Sequence, residues 1–434
     1  MLDSIQIRNF KSFADADLAL SPLTLLIGPN ASGKSNAIEA IRVLSWLAYG
    51  RRLDDLLATV QEADQLIRGT VEKLPHEGSK TFGLGCTASS LKWNQFSIEI
   101  KVEADQLRIV DEEIVAPGST VPLYAVVGPA HGYSHEIQVQ YNNFARGGRK
   151  PQIPCTDQQA IFTQLETPAR FGKGHKKAQS VIPEMVSTYR RFLENILFLD
   201  PSPRRMRNYS FKGEKRLRGD GSNLSSALYD LCEEQNQKKR VLDFIRTLPE
   251  QDITDVSFVE TERNEVMVQL TESFGGGRQL WDAPNLSDGT LRVLAVAAAL
   301  LSAQKNSMVV IEEIDNGVHP SRADTLLHNV LDIAEARSLR VLITTHNPAL
   351  LDSLPSEAIP DVVCAYRDPE RGDSKLVSLK ELADYPELVA RGPLGRSMTT
   401  GLIERLLLAR RSEDEKHSQA MKWLDSFREE LVEQ

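Results

Sequence analysis

Residues 26–36 read LIGPNASGKSN, a glycine-containing segment between an apolar run and a helical pattern. Gly28 and Gly33 enclose four residues and are followed by Lys34 and Ser35, the pattern GxxxxGK with a hydroxyl residue next. Glycines let the backbone turn its N–H groups inward around phosphate oxygens, the lysine reaches the terminal phosphates, and the hydroxyl can ligate Mg²⁺. The apolar run LTLLI precedes the loop, and apolar residues at helical spacing follow it. The stretch therefore predicts a buried strand, a phosphate-binding loop and a helix.

Composition and charge narrow the class of protein. The chain has 434 residues, of which 41% are hydrophobic and 26% charged, as in an ordinary globular protein. Its length fits two or three domains, or one large domain with insertions. The net charge of −9 argues against a protein coated in nucleic acid but leaves a local basic groove open. No apolar run approaches the roughly 18 residues of a membrane span, and no signal peptide is visible. The four cysteines are widely dispersed, so we expect a reduced, cytoplasmic protein.

A second motif, SMVVIEEIDNGVHP, covers residues 307–320. Its apolar residues from Met308 to Ile311 predict a buried strand with Glu312 and Glu313 at the carboxyl end, where open α/β sheets bind ligands. One carboxylate can hold the Mg²⁺ shell while its neighbour polarises an attacking water. The alternative is a pair of solvated acids that only terminates the strand.

A third motif, LRVLITTHNPALLD, predicts another buried strand from Val341 to Ile343, with His346 in the loop after it. A lone histidine is more often structural than catalytic. Here it follows a core strand shortly after Glu313 along the chain, where it can hydrogen-bond a γ-phosphate.

The fourth motif is NLSDGTLRVLAVAAALLSA, in which Ser287 and Gly289 precede an apolar helix. The N-terminus of such a helix presents free N–H groups and a partial positive charge to an anion. Read locally, the motif is only a core helix capped by Ser287 or Asp288. The order of the four motifs along the chain favours the functional interpretation.

That order resembles the ABC-type ATPases, specifically the RecF, SMC and OLD-like branch of soluble ATPases. IQIRNFKSF is similar to their opening strand and turn near the nucleotide base, LSDGT to their LSGGQ signature, and IEEIDNGVHP to their Walker B motif and D-loop. FLDPSPRRMR and DGSNL look like further recurrent segments of the branch. Two departures are Glu312 in place of the usual Asp and Asp288 in place of a glycine, and the second suggests weaker or partner-dependent closure of the signature.

The resemblance implies ATP and Mg²⁺ as cofactors and a sandwich of two heads around two ATP molecules. Lys34, Glu313 and His346 would be catalytic, and Ser35 and Glu312 would hold the metal. The implied ATP contacts are Gly28, Pro29, Asn30, Ala31, Ser32, Gly33, Lys34, Ser35, Asn36 and Lys11, with Ser287 and Gly289 supplied in trans by the other head. For the Q-loop glutamine the sequence offers only Gln138 and Gln140.

The predicted fold is α/β: a P-loop NTPase head of ABC type with an inserted antiparallel β-rich lobe and helical segments. Short β-rich runs from about residue 80 to 142 predict an antiparallel meander, and residues 143–180 predict a loop. We expect the ATPase core in residues 1–60 and 196–390, the inserted lobe in 61–195, and a helical tail in 391–434.

The resemblance also implies an activity and partners. We expect an ATPase that forms a homodimer or higher assembly, carries no TOPRIM nuclease domain after His346, and controls a separately encoded effector such as a nuclease in prokaryotic anti-phage defence. One alternative is a RecF-like DNA-binding ATPase of repair or maintenance, and another is a nucleotide-gated scaffold of very low turnover. The DNA alternative depends on basic residues near the inserted lobe: Arg146, Arg149, Lys150, Lys173, Lys176, Lys177, Arg204, Arg205 and Arg207.

Overall fold

The computed structural model describes residues 1–56, 66–103, 106–128, 134–246, 253–274, 277–314, 320–382 and 384–408. Its strands are β1 (Ser4–Phe10), β2 (Phe13–Ala19), β3 (Leu23–Ile27), β4 (Thr81–Thr87), β5 (Gln95–Glu103), β6 (Gln106–Val115), β7 (Tyr124–Val126), β8 (Glu136–Tyr141), β9 (Gln152–Thr156), β10 (Leu197–Leu199), β11 (Ser210–Phe211), β12 (Ile253–Glu260), β13 (Glu265–Phe274), β14 (Gly277–Asp282), β15 (Met308–Ile311), β16 (Arg340–Thr344), β17 (Val363–Arg367) and β18 (Ser374–Ser378).

The α-helices alternate with the later strands. They are α1 (Lys34–Ala48), α2 (Ile161–Gln164), α3 (Lys176–Glu194), α4 (Pro203–Met206), α5 (Leu224–Cys232), α6 (Gln235–Ile245), α7 (Asp288–Ser302), α8 (Pro320–Arg337), α9 (Pro348–Asp352), α10 (Tyr385–Ala390), α11 (Leu394–Thr399) and α12 (Leu402–Leu408). Among the described residues, no helix is both long and apolar enough to cross a membrane.

A six-stranded sheet in the order β10–β15–β16–β3–β17–β18 carries the first three sequence motifs. Its first five strands are parallel, and β18 pairs antiparallel with β17. All residues of β3 and β15 are buried, because helices or the second sheet cover both faces. The α/β prediction is therefore confirmed.

The two faces of this sheet contact two different hydrophobic cores. Leu26 packs in one core with α1, α3 and the antiparallel sheet. Leu23, Leu25 and Ile27 pack in the other core with α7 and α8. Because side chains alternate along a strand, β3 contributes side chains to both cores. Its C-terminal end leads directly into the glycine-containing loop before α1.

An antiparallel sheet of eight strands has the order β2–β1–β4–β5–β6–β7–β8–β9. The predicted meander is confirmed from β4 to β8, and the structure adds the β1–β2 hairpin at one side and β9 at the other. Arg340 ties the hairpin to the parallel sheet, since its guanidinium donates to the Leu2 carbonyl and pairs with Asp3. The first residues of the chain thus connect the antiparallel sheet to the parallel sheet.

The prediction of a loop over residues 143–180 is wrong. This segment contains β9, α2 and the beginning of α3. Pro151 and Pro154 obscured the strand in the sequence, but among the described strands β9 lies at the edge of the sheet, paired with β8, and an edge position tolerates proline. The domain boundaries at residues 60, 195 and 390 stay predictions. Of the predicted helical tail over residues 391–434, the part up to residue 408 contains α11 and α12, and residues 409–434 lie outside the described residues.

Candidate functional site

The loop between β3 and α1 has a backbone that requires glycine at two positions. Gly28 has φ 147° and Gly33 has φ 108°, and between them Ala31 has φ 64°. A Cβ atom on Gly28 would lie 2.2 Å from the Ala365 carbonyl oxygen, and one on Gly33 would lie 2.6 Å from Ser374 Oγ. The loop is therefore pressed against β17 and β18 with no space for side chains at either glycine.

The interior of the loop is a set of donors suited to an anion. Ser32 is 2% exposed, and its Oγ has no hydrogen-bond partner among the described residues. The Lys34 ammonium donates to the carbonyl oxygens of Gly28, at 2.5 Å, and Pro29, at 2.9 Å. A buried hydroxyl without a partner is costly, and an ammonium prefers a charged acceptor to neutral carbonyls. Both observations fit a phosphate group in the loop.

Lys34 and Glu313 interact electrostatically. Burial lowers the pKa of the Lys34 ammonium to about 8, and the nearby negative charge of Glu313 opposes part of that shift. The loop lysine and the second acid of the strand motif, which are far apart in sequence, thus lie within electrostatic range of each other in the fold. The reason is that β3, β16 and β15 are neighbours and end at the same edge of the sheet.

The two acids after β15 have different surroundings. Glu312 accepts a 2.7 Å hydrogen bond from the guanidinium of Arg42 on α1. Glu313 is exposed and has φ 50°, and its N–H donates to Thr344 Oγ1 at 3.1 Å. A left-handed glutamate is uncommon, and backbones of this kind cluster at functional sites. The D-loop residues 315–319 lie outside the described residues.

A cleft of about 1100 Å³ runs beside the loop helix and contains both predicted metal ligands, Ser35 and Glu312. It is also lined by Asp200, which directly follows β10 and which the sequence analysis missed. The available signal was an acid immediately after the apolar run ILFL, at the carboxyl end of a strand. Gln138 and Gln140 lie instead on β8 of the antiparallel sheet.

His346 lies two residues after β16 and is exposed, whereas its neighbour Thr345 is buried. The loop around it is held by local bonds. The Asn347 side chain accepts from the Ala349 N–H at 3.0 Å, and the Asn347 N–H donates to Thr345 Oγ1 at 3.0 Å. These bonds fix the backbone on both sides of the imidazole and leave the ring facing solvent.

Of the two predicted caps, Ser287 and Asp288, it is Ser287 that caps α7, and its Oγ accepts from the Thr290 N–H at 3.1 Å. Ser287 and Asp288 are exposed, and Gly289 is half-buried. Ser287 lines a separate cleft of about 270 Å³ with Trp281 and Leu286. The signature segment is therefore open to solvent at a cleft other than the one that Ser35 and Glu312 line.

The side chains of two predicted nucleotide contacts, Lys11 and Asn36, bind other residues of the protein. The Lys11 ammonium pairs with the Glu39 carboxylate on α1 and donates to the Arg68 carbonyl oxygen at 2.8 Å. The Asn36 side chain donates to Ser12 Oγ at 2.7 Å. Both contacts hold the β1–β2 turn against α1. These two residues therefore help to fix the position of the helix that follows the phosphate-binding loop.

A glycine-dependent loop between a buried parallel strand and a helix, with acids at the neighbouring strand end, defines the P-loop class of nucleotide-binding α/β proteins. Two family models match this chain. One, described as an AAA ATPase domain, matches residues 1–114, and the other, described as an AAA domain, putative AbiEii toxin, type IV TA system, matches residues 174–352.

Individual proteins are similar over shorter or more divergent alignments. The DNA replication and repair protein RecF of Gloeobacter violaceus is 43% identical over 76 residues, which are 17% of this chain and only 20% of that protein. An ATP/GTP phosphatase of Helicobacter pylori is 21% identical over 368 residues, covering 82% of this chain and 87% of that protein.

Among solved structures, an SMC head bound to the C-winged helix domain of ScpA is similar at 12% identity and a TM-score of 0.48, covering 88% of this chain and 99% of that one. The expected relationship to RecF-like ABC-type ATPases is confirmed by the family models and the curated relatives as a distant one. Residues 1–114 thus match the description of an AAA ATPase domain.

Proposed function

We propose that this chain binds and hydrolyses ATP as one head of an ATP-sandwich homodimer, and that its cycle controls a separately encoded effector, such as a nuclease, in prokaryotic antiviral defence. The observation that carries the ATPase part is the placement of Lys34 and Glu313 after the C-terminal ends of β3 and β15, two parallel strands that flank β16 in one sheet. This placement supports a phosphate-binding role for Lys34 and a general-base role for Glu313 in the same site.

Each residue has a distinct role in the proposed reaction. The loop N–H groups and the Lys34 ammonium bind the phosphates. Glu313 accepts the proton of the attacking water, and His346 donates to the γ-phosphate. Ser35 and Glu312 would hold Mg²⁺, which neutralises phosphate charge when bound, and the hydrogen bond from Arg42 orients the Glu312 carboxylate.

The exposed signature segment supports completion of each site by a second copy. Ser287 and Gly289 lie at the solvent-accessible start of α7, beside a different cleft from the one that contains Ser35 and Glu312. A single head leaves one side of a bound γ-phosphate in water. A second helix N-terminus supplies donors there and excludes solvent, so ATP acts as the adhesive between heads.

The effector part of the proposal has narrower support. The model that matches residues 174–352 is described as a putative AbiEii toxin of a type IV toxin–antitoxin system, which favours a role in a two-component defence module. We therefore expect a protein partner encoded separately from this chain.

The test is ATP turnover of the wild type and of Glu313→Gln, each with and without double-stranded DNA. Loss of the general base is expected to lower turnover by about 10²-fold or more and to leave ATP binding intact. The matched control is Asp324→Asn on α8, another exposed acid, which should retain wild-type turnover. Equal turnover in wild type and Glu313→Gln would refute the catalytic assignment and favour a scaffold that only binds nucleotide.

A DNA-binding maintenance protein is the second candidate, and one observation favours it. Two basic segments, around Arg146 and around Lys177, adjoin in the fold, because the Lys177 ammonium lies 4.8 Å from the Phe144 ring and the Tyr141 hydroxyl lies 2.8 Å from His175 Nδ1. The resulting basic cluster comprises Arg146, Arg149, Lys150, Lys173, Lys176 and Lys177. Stimulation of turnover by DNA, weakened by added salt, would favour this candidate.

A further inference from the structure

The signature segment contains an acid at a position that should repel phosphate, and a distant arginine pairs with it. Asp288 Oδ1 accepts a 2.7 Å hydrogen bond from Arg207 Nη2. The same Nη2 donates to the Leu286 carbonyl oxygen at 2.9 Å, and Arg207 Nε donates to the Pro284 carbonyl oxygen at 3.3 Å. One guanidinium thus binds three acceptors of the segment 284–288, immediately before and at the start of α7.

Arg207 is anchored where it can hold this segment. It directly follows α4, whose last residue, Met206, is 1% exposed in the core beside α7. The neighbouring Arg205 points to a different partner, Asp220, at 2.7 Å. Arg205 and Arg207 therefore have separate partners, and it is Arg207 that binds the signature segment. Its side chain is 29% exposed, against 66% for Asp288.

The charge of Asp288 bears directly on the proposed sandwich. A carboxylate one residue from Ser287 and Gly289 would lie within a few ångströms of a triphosphate docked at this helix start. Like charges at that range repel strongly once water is excluded. A guanidinium hydrogen-bonded to the carboxylate cancels this charge before the second head arrives, and its planar donors suit the task.

We propose that Arg207 is a positioning residue of the ATP sandwich: by neutralising Asp288 it allows the signature segment to approach the ATP held by the partner head. This inference rests on the proposed function. The LSGGQ signature, which LSDGT resembles, has an uncharged glycine at the position of Asp288. In this chain the pair Arg207–Asp288 would take the place of that uncharged residue. Arg207 acts through Asp288 and not on the phosphate itself.

The experiment is a double-mutant cycle with Arg207→Gln, Asp288→Asn and the double variant. ATP turnover and ATP-dependent dimerisation are measured for all four proteins. Arg207→Gln leaves Asp288 charged and is expected to lower both at least tenfold, with a smaller deficit at high salt because the repulsion is screened. In the Asp288→Asn background the same arginine change is expected to alter either value less than about twofold.

Arg207→Lys separates charge from geometry. It keeps the positive charge but cannot reproduce the planar guanidinium contacts to both carbonyls, so the proposal predicts activity well above that of Arg207→Gln. A double variant as impaired as Arg207→Gln, or a lysine variant no better than the glutamine variant, would overturn the proposal and leave Arg207 as a structural clamp. Failure of the wild type itself to hydrolyse ATP or dimerise would instead overturn the proposed function. Thermal melting of each variant verifies that it is folded.

Discussion

Lys34 is a buried ammonium whose acceptors are two carbonyls of its own loop, and its pKa is lowered to about 8. A triphosphate in the loop would raise this pKa, because an adjacent anion favours the charged form. ATP binding above pH 8 therefore takes up a proton. We expect the Kd for ATP to be constant below about pH 7.5 and to rise by nearly tenfold per pH unit above the pKa of the free protein.

The measurement is nucleotide titration between pH 6.5 and 9.5 with wild type and Lys34→Arg. A guanidinium does not deprotonate in this range, so the variant should bind more weakly but with a flat pH dependence. A wild-type Kd that is equally flat would mean that Lys34 stays charged without phosphate.

Asp288 illustrates at the level of single residues what sequence can and cannot predict. The motif order identified Lys34 and Glu313, because each follows an apolar strand in the same parallel sheet. The partner of Asp288 was not predictable, since Arg207 lies 81 positions away in a segment with no periodic relation to α7. Ion pairs between distant segments depend on packing that no local pattern encodes.

At the scale of elements, the loop between β3 and α1 depends on its contact with β17. A Cβ atom on Gly28 would meet a backbone oxygen 2.2 Å away, which no rotamer change can relieve. Gly118 also has a positive φ, 68°, but has open space around its Cα. We expect Gly118→Ala to cost about 1–2 kcal/mol from backbone strain alone, and Gly28→Ala to cost several kcal/mol.

Thermal melting of the two alanine variants beside the wild type checks this difference. The larger loss expected for Gly28→Ala combines the clash with the Ala365 carbonyl oxygen and the backbone strain at φ 147°, whereas Gly118→Ala has only the strain at φ 68°. Equal losses for the two variants would show that β17 yields and that the loop tolerates a side chain at Gly28.

The inserted lobe contains a second pH-dependent element. Glu112 on β6 is fully buried and accepts hydrogen bonds from the Tyr124 hydroxyl and from the N–H groups of Ile161 and Phe162 at the start of α2. Burial raises its pKa to about 7 despite these bonds. Since the folded pKa exceeds the unfolded value, the stabilising contribution of this group is complete below about pH 4.5 and is lost as pH rises through 7.

The expected outcome is a narrowing difference in stability between wild type and Glu112→Gln as pH increases from 5 to 8, by on the order of 3 kcal/mol. Melting temperatures of both proteins across that range measure it, because the comparison cancels all other titrating groups. A difference independent of pH would mean that Glu112 is ionised throughout.

Elements with strong periodicity were predictable, and those defined by their neighbours were not. The buried runs of β3, β15 and β16 and the apolar face of α7 were evident from the residues alone. β9 was missed because Pro151 before it and Pro154 within it match a loop pattern, although the edge of a sheet accepts proline. The joining of β1 and β2 to the inserted lobe was missed because strand partners are chosen by packing between distant segments.

For the whole molecule, the exposed signature segment leads to a prediction about assembly. Glu313→Gln is expected to bind ATP without hydrolysing it and so to accumulate as a dimer, whereas the same protein without nucleotide should be monomeric or less associated. Light scattering on separated species measures the mass in each state. A Ser287→Arg change in that background adds bulk and charge at the start of α7 and should prevent the shift. Identical masses with and without ATP would exclude an ATP-dependent interface.

The position of β3 also determines when the site can exist during synthesis of the chain. β3 lies between β16 and β17, and both follow it by most of the polypeptide. At about 5–20 residues per second, the ribosome leaves this apolar strand without sheet partners for roughly 15–60 s. The antiparallel lobe can form during that interval, while LTLLI has to be shielded. Nascent chains that end before Arg340 should therefore bind chaperones through this strand, and nucleotide should protect only chains released after both partners have emerged.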